Sequence, residues 1–231
     1  MRSVACAVSI ALALAFPPTA RGEDLGLAVY RTMGIKAGDV LNGSVLTAQV
    51  LPEKDKQVVA LITYFTGKRD DANAVNVRLE VFRRQGDKLE SVYARDYGKE
   101  NGGYVGRGEI QVVDLDGDAV QEIVVTYDLA KDRLIQDRRG EVIVRDAAGF
   151  RVHWVDSVQY DATRAARDLP ADRRDRFVRE LDVPGTMRTK GVSLIFDKKT
   201  IAVAGERLAE PRVSKEAVPF RRPAPEAPVP H

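Results

Sequence analysis

The sequence has 231 residues, of which 44% are hydrophobic and 30% are charged, and its formal net charge is +2. This length and composition are typical of one ordinary globular domain or two small ones, and they exclude a largely disordered chain. The near balance of basic and acidic residues gives no electrostatic reason to expect nucleic acid or anionic lipid as a partner.

The N-terminal segment, residues 1–22, has the pattern of a secretory signal peptide. Arg2 supplies the positive charge, and residues 4–16 form an apolar run that is too short to span a bilayer. We expect cleavage after Gly22 and therefore an exported protein, either periplasmic or secreted. Cys6 lies inside this segment, so the mature chain would have neither a disulfide nor a thiol nucleophile. No later segment is long and apolar enough to be a transmembrane helix.

The mature part of the chain is predicted to consist mainly of short β-strands. One short helix precedes them, because the apolar residues of 24–33 share a helical face, with Asp24 as a cap and Gly34 as a stop. Strands follow wherever β-branched and aromatic residues cluster or alternate between polar turns. The predicted strands cover residues 45–50, 58–65, 75–82, 89–93, 109–113, 122–127, 141–144 and 150–158.

The C-terminal part has a different character. Residues 171–181 alternate acidic and basic side chains with a sparse apolar face, which predicts a second short helix. A last hairpin is expected over residues 192–204. Prolines are frequent near the C-terminus, so we expect a disordered tail. The predicted organisation is a signal peptide at 1–22, a single β-rich repeat domain at 23–208 and a proline-rich disordered tail at 209–231.

An internal repeat divides the predicted strands into two similar units. Residues 49–51 recur as 111–113, and residues 62–64 recur as 125–127. Each unit is expected to run as strand, short polar loop, strand, longer loop and hairpin. The predicted fold is therefore mainly β, built from antiparallel blade-like repeat units with one or two short helices. Two such units form a partial propeller or a compact β-assembly, because a closed propeller needs about four blades or more.

The most distinctive segment lies between two β-branched runs and carries four carboxylates and one glycine. Carboxylates at alternate positions of a tight loop repel one another unless a cation lies among them, and oxygen-only ligands favour a hard ion such as Ca²⁺. A solvated acidic turn is the alternative. An EF-hand loop does not fit, because its sixth position would be Ala119 and its twelfth would be Val125. In the predicted alignment, the first unit has Pro52, Lys54 and Lys56 where the second has Asp114, Asp116 and Asp118.

The pattern Asp-x-Asp-Gly-Asp-x-x-x-Glu at residues 114–122 resembles the calcium loop of FG-GAP/VCBS repeats, as in integrin-α-type β-propellers. The resemblance covers about 110–158, with a degenerate copy at about 46–95. It departs at Ala119, where the family usually has glycine and where we expect a strained loop, and at Glu122, where aspartate is common. The resemblance implies a structural Ca²⁺ site with side-chain ligands Asp114, Asp116, Asp118 and Glu122 and the carbonyl oxygen of Val120.

Other candidate sites are weaker. His153 is the only internal histidine, so a Ser–His or Cys–His nucleophile has almost no candidates. The glycine-rich segment 98–108 precedes a predicted strand, whereas phosphate loops use a helix N-terminus, and we interpret it as a flexible connection.

These observations favour an exported, Ca²⁺-stabilised β-repeat protein that is a binding or structural module of the cell envelope or the extracellular space. A protein or an envelope glycan is the expected partner. Whether the chain is an enzyme stays open, with a non-enzymatic role preferred. The alternatives are a secreted or periplasmic hydrolase acting on an envelope polymer, and a scaffold subunit tethered by its proline-rich tail.

Overall fold

The computed structural model describes the strand-rich part of the chain and several shorter segments after it. The expected signal peptide at 1–22 and the end of the expected tail, from residue 220 onward, lie outside the described residues. The structure describes residues 24–67, 74–102, 105–129, 135–162, 176–181, 193–201, 203–204, 207–208 and 212–219.

Strands make up most of the described chain, which confirms the mainly β prediction. Two short helices, α1 (Leu25–Met33) and α2 (Tyr97–Glu100), accompany them, together with a 3-10 turn at Ala37–Asp39. The strands are β1 (Val40–Ala48), β2 (Gln57–Phe65), β3 (Val75–Gln85), β4 (Lys88–Asp96), β5 (Val105–Val113), β6 (Glu122–Leu129), β7 (Gln136–Asp146), β8 (Gly149–Asp161), β9 (Arg176–Leu181), β10 (Ser193–Ile201), β11 (Val203–Ala204), β12 (Arg207–Leu208) and β13 (Arg212–Pro219).

The strands form two main sheets in which every neighbouring pair is antiparallel. The first sheet has the order β1-β2-β3-β4, so each strand pairs with its neighbour in sequence. The second sheet has the order β13-β10-β9-β8-β7-β6-β5. Strands β11 and β12 form a separate small pair. Local antiparallel connections of this kind need only short loops.

Helix α1 begins and ends where the sequence predicts. The Asp24 side chain accepts a hydrogen bond from the Gly26 N–H at 3.0 Å, and Gly34 ends the helix with a left-handed φ of 71°. Val29 and Met33 are buried against the first sheet. Glycine adopts the left-handed conformation without a Cβ penalty, which explains why the helix ends there.

Two hydrophobic cores separate three layers. In one core, Val59 and Leu61 of β2 cluster with Ile123 and Val125 of β6, so the two sheets pack face to face. The second core lies on the opposite side of the first sheet, beneath α1. Each fully buried Val, Leu or Ile side chain contributes about 1.5–3 kcal/mol, so these cores hold the layers together. The second core consists of Val29, Met33, Ile35, Val58, Ala60, Ile62 and Phe82.

Strands β1–β4, the first unit, and β5–β8, the second unit, share their connectivity and details of their pairing. Ala48 pairs with Gln57 at the end of the first strand pair, and Val113 pairs with Glu122 at the matching point of the second. A register shift follows Val81 in β3, and a matching one follows Val142 in β7. The two units are therefore built alike, as the internal repeat predicts.

The residue-by-residue alignment of the units differs from the prediction. Because Ala48 is equivalent to Val113, Gln49 is equivalent to Asp114 and not to Gln111. The two loops that follow, 49–56 and 114–121, are then of equal length. Strands repeat similar apolar residues every second position, so a short local match is a poor guide to register. The counterparts of Asp114, Asp116 and Asp118 are Gln49, Leu51 and Glu53, and the predicted match to Pro52, Lys54 and Lys56 is wrong.

The described segments of the C-terminal part also differ from the prediction. Arg176–Leu181 is strand β9 and not the end of a helix, and residues 171–175 lie outside the description. Ser193–Ile201 is one continuous strand that pairs with two neighbours, so the predicted hairpin turn within it is absent. Arg212–Pro219, inside the segment predicted to be disordered, pairs with β10. In each case long-range pairing prevails over a local pattern.

The glycine-rich connection is more ordered than the sequence predicts at both of its ends. Tyr97–Glu100 forms α2, which the Asp96 carboxylate caps by accepting the Lys99 N–H at 2.8 Å. Strand β5 begins at Val105, within the predicted loop. Gly98 lies so close to Asn76 that an added Cβ would be 2.1 Å from the Asn76 amide oxygen. This close approach explains why glycine occupies position 98.

Candidate functional site

The acidic loop, residues 114–121, connects β5 to β6 and lies against the equivalent loop of the first unit. The Gln121 N–H donates to the Gln49 carbonyl oxygen at 2.6 Å, and the Gln49 N–H donates to the Gln121 side-chain oxygen at 2.9 Å. The Leu115 side chain is only 1% exposed and anchors the loop in the protein interior. The backbone of the acidic loop is thus held by both units.

Three of the predicted metal ligands converge. One carboxylate oxygen each from Asp114, Asp116 and Glu122 lies within 4.8 Å of the other two. Asp118 is exposed and does not belong to this group, and the Val120 N–H donates to the Asp118 carboxylate at 2.8 Å. The structure therefore brings together three of the four predicted carboxylates and leaves Asp118 outside this group.

Hydrogen bonds from the backbone to the aspartates shape the loop. The two oxygens of Asp114 accept the N–H groups of Gly117 at 2.7 Å and Ala119 at 3.1 Å. Asp116 accepts the Asp118 N–H at 3.2 Å. Aspartates often stabilise turns in this way, so these bonds alone are also what a metal-free acidic turn would show.

The loop contains two left-handed residues, of which only one is a glycine. Gly117 has a φ of 79° and Ala119 a φ of 70°, and Ala119 is the one non-glycine residue with a positive φ among those described. A left-handed alanine costs roughly 1–2 kcal/mol, because its Cβ approaches the following carbonyl oxygen. The strain expected at Ala119 is therefore present, and the rest of the loop must stabilise it.

Glu122 is the buried member of the carboxylate group. Its pKa is raised to about 8, chiefly because burial disfavours the charged form, and the nearby Asp116, Asp118 and Asp114 raise it further. A hydrogen bond from the Leu115 N–H, at 2.7 Å, opposes this rise. A carboxylate in this setting either holds a proton or needs a cation beside it.

The first unit performs the same loop closure without a charge. Gln57, the equivalent of Glu122, is buried, and its side-chain oxygen accepts the N–H groups of Val50 at 3.1 Å and Leu51 at 2.9 Å. A neutral amide is thus sufficient to close a loop of this length. Closure of the acidic loop therefore does not require a carboxylate at position 122.

The donor set of the acidic loop fits a hard cation. All the converging side chains offer carboxylate oxygens, the ligands that Ca²⁺ prefers, and no nitrogen or sulfur ligand is among them. Exposed acidic turns are common without a metal, so the convergence alone does not distinguish the two states. Glu122 is the distinguishing feature, because a solvated turn does not need a buried carboxylate beside two aspartates.

A second polar cluster, which the sequence analysis missed, lies between the two sheets. The fully buried carboxylate of Glu141 accepts the Arg95 guanidinium N–H at 3.0 Å and the Tyr127 hydroxyl at 3.3 Å. The Arg95 guanidinium also lies 5.4 Å from the centre of the Tyr97 ring. Residues 95 and 141 are far apart in sequence, and only the stacking of the sheets brings them together.

Burial dominates the electrostatics of this second cluster. It raises the pKa of Glu141, which the Arg95 charge opposes, and it raises the pKa values of Tyr97 and Tyr127. Glu141 Oε2, Arg95 Nε and the Tyr97 hydroxyl have no hydrogen-bond partner within the described structure. Glu141 and Tyr97 are 0% exposed, so a polymeric substrate cannot reach them. The Arg95 side chain is 20% exposed and also pairs with the Glu100 carboxylate at 2.8 Å, so the cluster is a largely buried ionic contact between the layers.

The remaining predicted candidate is His153 on β8. It is half-buried, and its Nδ1 lies 3.4 Å from the Arg151 guanidinium. Neither carboxylate cluster includes this histidine. Its contact with a guanidinium is not that of a catalytic base with a nucleophile.

Comparison with known protein families, with curated proteins and with solved structures finds no match. The resemblance of the acidic loop to FG-GAP/VCBS repeats therefore stays a prediction from the motif. Among the residues that the structure describes, no helix is long and apolar enough to cross a membrane.

Proposed function

We propose that this chain is an exported, Ca²⁺-stabilised β-repeat protein that serves as a binding or structural module in the cell envelope or outside the cell. The burial of the Glu122 carboxylate is the observation that supports the proposed Ca²⁺ site. Its carboxylate is buried beside two converging aspartates, and none of the groups that influence its pKa most strongly is a cation. A divalent ion removes this electrostatic penalty.

The side chains of the acidic loop and Glu122 provide the ligands that a bound ion would require. Asp114, Asp116 and Glu122 are the proposed carboxylate ligands, and Asp118 and the Val120 carbonyl complete the set that the resemblance implies. Bound Ca²⁺ supplies a fixed positive charge among these oxygens. Because the metal prefers the folded loop, its binding stabilises the native state, and no chemical turnover is involved.

Export and partner binding rest on two other features. The segment 1–22 has the charge and hydropathy pattern of a cleavable signal peptide, and the sequence after it contains no cysteine. The strand–loop units place several loops at the ends of two packed sheets, where loops commonly bind partners. A protein or a glycan is the proposed partner.

Calorimetric titration of the purified protein with CaCl₂ tests the metal site. We expect one saturable site in the wild type, its loss in Asp116→Ala, and unchanged binding in Asp55→Ala. Asp55 lies in the equivalent loop of the first unit, so this variant removes one carboxylate from a loop of the same length that lacks the acidic cluster. Absence of saturable binding in the wild type, or equal binding by Asp116→Ala, would contradict the proposal.

A further inference from the structure

Strand β1 is an exposed edge of the first sheet. Within the described part of the chain its only strand partner is β2, so backbone N–H and C=O groups along its other side have no sheet partner. Its side chains are exposed as well: Leu41 is 50% exposed and Leu46 is 36% exposed. After a register irregularity between Val40 and Asn42, the remaining residues pair regularly with β2. Most of the edge is therefore regular.

Apart from the irregularity near its first residue, β1 lacks the features that usually protect a sheet edge. Val40–Ala48 contains no charged residue and no proline. The opposite edge strand of the same sheet, β4, contains four charged residues, and the edge strand β13 of the second sheet contains three charged residues and a proline. Natural proteins place lysine, proline or bulges on edge strands to prevent pairing with another chain. β1 is long, uncharged and accessible, which is typical of an edge that accepts a strand.

We propose that an extended peptide segment of a partner protein binds along β1 and adds a fifth strand to the first sheet. This inference rests on the proposed role as a binding module and names its surface and the chemistry of its partner. The unpaired backbone groups of β1 supply the hydrogen bonds, and Leu41 and Leu46 supply apolar contact beside them. The partner segment is uncharged where it meets β1, because β1 offers no charge to pair with it.

A peptide fits this edge better than a second copy of the chain. Two rigid copies that meet edge to edge would touch mainly along one strand. Stable interfaces between folded proteins bury about 1,200–2,000 Å² in total, which a seam of nine residues does not provide by itself. A flexible peptide follows the twist of the strand and also covers the exposed side chains of Leu41 and Leu46, so it gains more contact per residue of β1.

The test selects ligands from a displayed library of random ten-residue peptides on the purified wild-type protein. Selected peptides are then labelled, and their affinities are measured by fluorescence anisotropy. Leu46→Lys and Thr47→Lys place a charge on β1, and Leu27→Lys places the same charge on an exposed leucine of α1 as the control. Each peptide is also made in two methylated forms, with either the odd or the even backbone nitrogens methylated, because only one alternate set of N–H groups points toward β1. Methylation removes these donors without changing the side chains.

We expect both β1 variants to bind about tenfold more weakly or worse, because a lysine on an edge strand opposes pairing with another strand. One of the two methylated forms should lose at least as much affinity, because several backbone hydrogen bonds are lost together. Leu27→Lys should bind as the wild type does. Melting temperatures close to that of the wild type will show that the lysine variants are folded. Two positions on β1 are substituted so that the test still works if one variant does not fold.

Three outcomes would overturn this inference. They are the enrichment of no peptide, full affinity of both methylated forms, and wild-type self-association in sedimentation that Leu46→Lys abolishes, which would assign the edge to a second copy. The calcium titration uses neither β1 nor a peptide, so failure of the metal site is detected separately from failure of this edge.

Discussion

At the residue scale, an amide and a carboxylate occupy equivalent positions directly after the matching loops of the two units. Gln57 and Glu122 are both buried, and each accepts backbone N–H groups from the loop before it. The amide does so without charge, whereas the carboxylate lies among three aspartates that raise its pKa. The charge at position 122 therefore needs a reason beyond loop closure, and a bound cation is the reason that we propose.

The raised pKa of Glu122 predicts a pH dependence in calcium-free solution. The folded chain holds this proton up to a pKa of about 8, whereas the unfolded chain releases it near the ordinary value of 4.5. The stability that protonation contributes is complete below the unfolded value and is lost as the pH rises through the folded value. We therefore expect the free energy of unfolding in EGTA, measured with urea, to fall over this interval.

Glu122→Gln is the matched control for this pH dependence, because it copies Gln57 of the first unit. The amide carries no titrating proton and can still accept the Leu115 N–H, so the decline with pH should become smaller. An equally steep decline in Glu122→Gln would show that other groups cause it.

The ion pair between Arg95 and Glu141 predicts a large effect of one substitution. Arg95→Met leaves the Glu141 carboxylate buried without its cation. Removal of one partner of a buried pair typically costs about 3–5 kcal/mol, since a charge is left uncompensated. Urea unfolding of the variant measures this loss directly.

Two controls separate charge from packing in that experiment. Arg83→Met breaks the exposed pair with Glu53 and should cost at most about 1 kcal/mol. The double variant with Met at positions 95 and 141 should recover most of the stability, because apolar replacement of a buried pair is often neutral. A double variant as unstable as Arg95→Met alone would show that the loss comes from packing.

At the element scale, the contact between the sheets depends on the lack of a side chain at one position of β5. A Cβ added to Gly108 would lie 2.7 Å from Val77 Cγ1 and 3.0 Å from Leu61 Cδ2 in the first sheet. Val77 has a stiff, β-branched side chain that cannot easily rotate away. β5 therefore packs against the first sheet more closely than a larger residue at position 108 would permit.

Gly108→Ala should accordingly destabilise the protein by about 1–3 kcal/mol through overpacking. Gly38→Ala is the control, because an added Cβ there meets nothing within 4 Å. Thermal unfolding of both variants measures the difference. Equal melting temperatures would mean that the sheets separate at this point without a measurable penalty.

Local signals predict some elements well and others badly. Helix α1 follows from its Asp24 cap, its apolar face and Gly34, all of which lie within the helix or next to it. The segment 176–181 has a helix-like charge pattern but is a strand, because β8 and β10 pair with it. A residue pattern records local preference, whereas strand pairing depends on segments that are distant in sequence.

The same distinction explains which parts of the candidate site were predictable. Asp114, Asp116 and Glu122 lie in or beside one short loop, so their spacing alone predicts that they converge. Arg95 and Glu141 meet only because two sheets stack, and no spacing in the sequence indicates that contact. The sequence shows two similar units, but it does not show how one packs on the other.

At the scale of the whole molecule, helix α1, the first sheet and the second sheet stack so that equivalent faces of the two units are covered. Val58 and Ala60 of the first unit face the core beneath α1, and their equivalents Ile123 and Val125 belong to the core between the sheets. Helix α1 therefore covers one face of the first sheet, and the first sheet covers the equivalent face of the second unit. The acidic loop is hydrogen-bonded to the equivalent loop of the first unit, so a metal bound in the acidic loop is expected to stabilise both units.

Thermal unfolding in Ca²⁺ and in EGTA tests the proposed calcium site most directly, with wild type, Asp116→Ala and Asp55→Ala compared. At a hundredfold excess of Ca²⁺ over its dissociation constant, the wild type should gain about 2.7 kcal/mol, or roughly 5–10 °C in melting temperature. Asp55→Ala should show the same gain, and Asp116→Ala should lose it. Identical melting temperatures of the wild type in Ca²⁺ and in EGTA would contradict the calcium site.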